Sequence, residues 1–137
     1  MIIGVGHDIC DQRRIARLAA RFGDRFTTRI YSADEQAELE LRQNRVAYLA
    51  GRFAVKEAVY KALSATDQAG MRWQHAQTLS SSSGAPVLSL SGACEHGLKR
   101  LVPAGYRPKL HVSISDEPPY SSAFVLLSLS AGQMQGT

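Results

Sequence analysis

Apolar and polar positions divide the first half of the chain into one extended stretch and three helical ones. Residues 2 to 9, IIGVGHDI, are apolar and β-branched apart from their glycines and the His7-Asp8 pair, which reads as a buried strand with Asp8 near its end. From about Asp11 to Phe22 the period changes. Ile15, Leu18 and Phe22 fall together at about 100° per residue, while Arg13, Arg14, Arg17 and Arg21 share a neighbouring arc. Gly23 is a natural helix stop. Ser32 followed three positions later by Glu35 is a capping-box pattern that opens a second, polar helix running to about Arg42. A third helix is predicted from about Ala47 to Leu63, a segment rich in helix formers that tolerates Gly51.

The second half has a different texture. Met71 to Leu79 reads as a strand, SSSSGAP as a turn, and Val87, Leu88 and Leu90 as a second extended run. A short helix is expected over Ala93 to Val102. Two further strands, Leu110 to Ser115 and Ala123 to Leu129, are joined through a turn that contains Pro118-Pro119. Helices early and strands late predict an α+β fold with an antiparallel sheet. We read residues 1–131 as a single domain and 132–137 as a frayed tail.

Composition narrows the class. At 137 residues the chain is long enough to enclose one core. No apolar run approaches the roughly 20 residues of a membrane span, and Met1 to Cys10 lacks the pattern of a signal peptide, so a cytoplasmic protein is expected. Cys10 and Cys94 form no metal pattern, and the four histidines are scattered. The net charge is only +4, but Arg13, Arg14, Arg17, Arg21, Arg25 and Arg29 crowd one segment. That cluster favours an acidic partner, whether nucleic acid, phosphorylated small molecule or acidic protein.

Two carboxylates carry the chemical reading. Glu57 is flanked on the helical wheel by Ala50, Ala54 and Ala58, small neighbours that leave room for something bulky, with Lys61 one turn on. An exposed Glu57–Lys61 pair is the plainer account of that spacing. Asp8, at the end of a strand, points out of a sheet edge or caps the following helix. If the two meet, they supply what magnesium takes from a protein: one or two carboxylates, with phosphate and water filling the octahedron.

Four blocks then occur in order: IIGVGHDICDQRRI at the start, RIYSADE at 29 to 35, RFAVKEAVYKAL at 52 to 63, and GAPVLSLSG followed by HVSISDE. With them the chain resembles, over nearly its whole length, the small bacterial holo-(acyl carrier protein) synthases. The resemblance implies the 4'-phosphopantetheinyl transferase fold, an antiparallel sheet packed against a long helix. It implies a magnesium-dependent transfer of the phosphopantetheine arm of coenzyme A to a serine of apo acyl carrier protein, a step of fatty acid biosynthesis. Asp8 and Glu57 match the magnesium ligands, and Lys61 matches a lysine near the pyrophosphate. Arg52 and Lys56 match basic positions associated with phosphate or nucleotide. Gly84 and Pro86 match a turn beside the cofactor, and Ser113 falls in the block near the adenosine. Arg14 and Arg21 would meet the acidic carrier. Glu57 is also the nearest base for the serine proton.

Arg52 and Lys56 lie roughly 90° or more from Glu57 around the helix, so one copy cannot aim them all at one point. The homotrimer implied by the resemblance, with sites between subunits, suits that constraint. Gly51, Ser64, Thr66 and Asp116 depart from the family pattern, which leaves open a carrier-protein binder without catalysis. A basic nucleic-acid-binding module is the rival from another class, although no aromatic partner or binding motif accompanies the arginines.

Overall fold

In the computed structural model, which describes residues 1–132, strand β1 (Ile2–Asp11) leads into helices α1 (Gln12–Phe22), α2 (Asp24–Ile30), α3 (Ala33–Leu39) and α4 (Arg45–Ala62). A 3₁₀ turn at Trp73–His75 precedes strands β2 (Ala76–Ser80) and β3 (Pro86–Leu90). Helix α5 (Gly92–Leu101) and strands β4 (Tyr106–Glu117) and β5 (Tyr120–Ala131) complete the order. Of the tail expected to fray, residues 133–137 lie outside the described residues. No helix among the described residues is long and apolar enough to cross a membrane.

Local chemistry sets the boundaries. The Asp11 carboxylate accepts the Arg13 backbone N–H at 2.9 Å and so caps α1. Gly23, at φ 53°, ends that helix, but α2 begins at once and buries Phe26 and Ile30, one turn apart. Both halves of the Ser32–Glu35 capping box form, and α3 stops at Leu39, one turn short of the predicted Arg42. The expected strand from Met71 is shortened by the 3₁₀ turn.

Two antiparallel sheets result, β1-β5-β4 and β2-β3. Helix α4 crosses the inner face of the first, where Val55, Ala58, Val59, Val125 and Leu127 are at most 1% exposed. Each large aliphatic side chain buried in this way contributes about 1.5–3 kcal/mol. The strand and helix approach closely because β1 presents Gly4 and Gly6 to the backbone of α4. A methyl group at Gly6 would overlap the Ala58 carbonyl, and one at Gly4 the Ala62 carbonyl. Ala58, one of the small residues around Glu57, therefore makes room for β1.

The outer face corrects the reading of β1 as a buried strand. Val5 and Ile9 are 49% and 60% exposed, and Phe124 and Tyr120 of the neighbouring strand are exposed beside them. Period-two alternation explains this: Gly6 and Cys10 face the helix, and Val5, His7 and Ile9 face away.

Candidate active site

Asp8 follows Gly4 and Gly6 on the face of β1 that looks at α4. Its carboxylate accepts a hydrogen bond from Lys61 Nζ at 3.0 Å, and the same ammonium donates to the His7 carbonyl at 2.9 Å. Both plainer accounts are thereby replaced. Lys61 pairs with Asp8 rather than Glu57, and the cap of α1 is Asp11.

Glu57, part-buried and one turn before Lys61, shares this neighbourhood. Burial, and then the Asp8 charge, push its carboxyl above the usual carboxylate range, while Arg14 and Lys61 pull it back. A cavity of about 380 Å³ opens beside it, lined also by Tyr60, Met71, Arg72, Trp73 and Cys94. Cys10 and Cys94 are buried and free; burial pushes both thiols up to about 11, which leaves neither a ready nucleophile.

Arg52 and Lys56 stand elsewhere. Lys56 is buried, and its ammonium donates to Glu35 Oε1 at 2.6 Å, the Ala76 carbonyl at 2.6 Å and the Trp73 carbonyl at 3.2 Å. All three of its donors are used within the fold. Arg52 donates to the Thr78 carbonyl, to Ser80 and to Glu38, whose carboxylate it meets at 3.0 Å. Glu35 and Glu38 in turn accept the Thr78 and Ser80 backbone N–H groups. Four side chains from α3 and α4 thus satisfy the edge of β2 turned away from β3, where a further strand would pair. Expected as phosphate contacts, these two cations bond to the edge of β2 and to Glu35 and Glu38 in this geometry.

The other expected residues are spread over the surface. Gly84, at φ 85°, lies in the exposed turn between β2 and β3, and Pro86, opposite Ser80, opens β3. That turn extends past Ser80, toward the Arg52 end of α4 and away from Lys61. Arg52 and Gly51 line a separate cavity of about 370 Å³ with Asp116. Ser113 is exposed on the outer face of β4, opposite Phe124. Arg14 and Arg21 part company. Both are exposed, Arg14 lying 5.2 Å from the Phe53 ring centroid on α4 and Arg21 over Phe22 of its own helix.

Comparison with known proteins decides the lineage. Residues 4–109 match the model of the 4'-phosphopantetheinyl transferase superfamily. The chain belongs to that superfamily. A holo-[acyl-carrier-protein] synthase of Methylobacterium sp. (strain 4-46) is 45% identical over 127 residues, 93% of this chain and 94% of the relative. Among solved structures, the holo-[acyl-carrier-protein] synthase of Neisseria meningitidis superimposes with a TM-score of 0.80 at 32% identity, covering 93% of this chain and 99% of that one. The Helicobacter pylori synthase, solved in complex with coenzyme A, gives a TM-score of 0.74 at 27% identity over 90% of this chain and 99% of that one. The α+β superfamily fold read from the sequence is the observed one.

For a phosphopantetheinyl transferase, the donor set near β1 is economical. Among the described residues no three His, Cys, Asp or Glu side chains gather into a metal cluster. Asp8 and Glu57 are instead two hard oxygen donors on different elements, which fits an ion that draws its remaining ligands from phosphate and water. Sequence reasoning missed Glu35, Glu38, Phe53 and Trp73. Glu35 offered one signal, the capping box; its burial depends on β2, more than 40 residues later.

Proposed function

We propose that this chain moves the 4'-phosphopantetheine group of coenzyme A onto a serine of apo acyl carrier protein, with magnesium held by Asp8 and Glu57. The observation that carries this reading is the Asp8–Lys61 bond where β1 crosses α4, with Glu57 one helical turn before Lys61 and its carboxyl raised by burial and by the Asp8 charge. The serine oxygen forms a bond to the phosphorus nearest the pantetheine. The bond from that phosphorus to the bridging oxygen breaks, and adenosine 3',5'-bisphosphate leaves with the electron pair. Magnesium, when bound, supplies Lewis-acid neutralisation of the phosphate oxygens.

The chain's own groups do the rest. Lys61, fixed by Asp8 and the His7 carbonyl, has one donor left for the pyrophosphate. Glu57 takes the serine proton, directly or through a water; its raised proton affinity moves it toward the range where a carboxylate serves as a base. The basic α1 face, Arg21 included, receives the acidic carrier.

We read residues 1–131 as one cytoplasmic catalytic domain that works as a homotrimer. Two features support the trimer: the exposed apolar face of Val5, Ile9, Tyr120 and Phe124, and the spread of the expected cofactor contacts over two ends of α4 and the outer sheet face. Gly84, Pro86 and Ser113 then serve a site completed by a neighbouring copy. Incubation with coenzyme A, magnesium and an apo carrier, followed by intact mass spectrometry of the carrier, tests the activity. A phosphopantetheine-sized gain supports it; an unchanged carrier mass refutes it.

A further inference from the structure

The transfer chemistry accounts for Asp8, Glu57 and Lys61 but not for the cavity of about 380 Å³ that Glu57 shares with Val59, Tyr60, Met71, Trp73, Ala76 and Cys94. Asp8 and Lys61 do not line it, so it starts at Glu57 and leads away from their bond. Its floor is closed: Val59, Ala76 and Cys94 are 1%, 3% and 4% exposed. Its rim is open, with Tyr60 and Arg72 exposed and Met71 and Trp73 part-buried. We infer that this cavity receives the pantetheine arm of coenzyme A, thiol end inward, and that it admits short acyl thioesters of coenzyme A while rejecting long ones. This rests on the transfer activity proposed above.

Charge decides the occupant. Lys56 and Arg72 are the two cations of the lining, and Lys56 spends its three donors on Glu35 and the Trp73 and Ala76 carbonyls. A nucleotide in this cavity would bring several negative charges to one rim arginine, with the Glu57 carboxylate repelling them. The arm is the uncharged part of coenzyme A, and apolar walls suit its methylenes and its thiol. Trp73 is a fixed wall: its ring packs 5.3 Å from Phe53, and its carbonyl accepts Lys56. At about 380 Å³ the cavity stands at the small end of the roughly 300–1,000 Å³ of ligand pockets. A closed floor at that size leaves space for a short acyl group beyond the sulfur and none for a long one. The acyl group takes no part in the step. The serine oxygen bonds to phosphorus, the bridging oxygen leaves with its electron pair on adenosine 3',5'-bisphosphate, and the thioester reaches the carrier intact.

Trp73 is the only tryptophan in the chain, so its emission reports on this cavity. Coenzyme A and butyryl-coenzyme A should change that emission on binding. Adenosine 3',5'-bisphosphate, which lacks the arm and whose binding is followed by calorimetry, should leave it unchanged. With magnesium and an apo carrier, butyryl-coenzyme A should add a butyryl-phosphopantetheine mass to the carrier at a kcat/KM within about threefold of coenzyme A, and decanoyl-coenzyme A should be at least about tenfold slower than that. Cys94→Leu, which raises the floor, should lower the ratio of butyryl-coenzyme A to coenzyme A kcat/KM about tenfold, and Met71→Ala, which widens the rim, should raise the decanoyl ratio. Melting curves confirm that each variant is folded. Equal emission changes with the bisphosphate and with coenzyme A, or decanoyl transfer as fast as butyryl transfer, overturns the inference and leaves the activity standing. A wild-type protein that binds coenzyme A with the Trp73 response but transfers nothing from it overturns the proposed activity instead.

Discussion

Replacing Lys56 with methionine removes one charge and keeps most of the side chain's length, at a position that the resemblance and the geometry explain differently. As a phosphate contact, Lys56 would be dispensable for folding. In the structure its ammonium is buried against Glu35, whose side chain is 0% exposed, and two backbone carbonyls complete its shell. Without the cation, Glu35 keeps the Ser32 and Thr78 N–H donors but becomes an uncompensated buried charge. Breaking a buried pair from one side costs about 3–5 kcal/mol. Against a total stability of about 5–15 kcal/mol, that is a large share. With a urea m-value of about 2 kcal/mol/M, the midpoint should fall by about 1.5–2.5 M. The paired variant Glu35→Gln with Lys56→Met should regain part of the loss, since neither charge remains. A midpoint within about 0.3 M of wild type, together with weakened coenzyme A binding, would return Lys56 to the ligand role and refute the edge-capping account.

Glu57→Gln should lose at least about 100-fold in transfer rate while the folded protein becomes slightly more stable, as read by activity and by thermal melting. Its carboxyl has a raised folded-state pKa, so the stability linked to its proton is present in acid and lost as pH rises through that value; the Gln variant should show less of this decline as pH rises above the ordinary carboxylate range. Gly6→Ala, which drives a methyl group into the Ala58 carbonyl, should cost about 3 kcal/mol in urea unfolding; a near-neutral result would mean that β1 and α4 are not packed as described. Thr78 carries a buried hydroxyl with no partner, so Thr78→Val should leave the midpoint unchanged or raise it by the equivalent of about 1 kcal/mol, and a clear loss would show that the hydroxyl is bonded.

What was legible in the sequence was local. The Ser32–Glu35 box, the amphipathic period of α1 and the helix formers of α4 each act within a few residues, and each appears near its predicted place. Asp8 was legible as a strand-end carboxylate, and Lys61 as a helix cation; that they bond to each other, 53 residues apart, was not. The burial of Lys56 was not legible, because it depends on the carbonyls of Trp73 and Ala76, supplied by a turn and a strand that the pattern of α4 does not encode. Gly23 misled in another way. A positive-φ glycine marks the end of one helix, and nothing in that signal forbids another from starting on the next residue, as α2 does.

The reading of β1 as buried failed for a reason that bears on assembly. Strands covered on both faces read as continuous apolar runs, whereas strands covered on one face alternate with polar residues. Ile2 to Ile9 has the first pattern, yet within one chain Val5, His7 and Ile9 are left exposed. The opposite side keeps Val5 and Ile9 next to Phe124 of β5, with His7 and Ser122 hydrogen-bonded among them. A face that a monomer left in water would have no physical reason to stay apolar over several rows and two strands. The same pattern is expected of a sheet whose second cover comes from another copy, so the proposed trimer would account for the misreading: burial encoded in the sequence and completed outside the single chain.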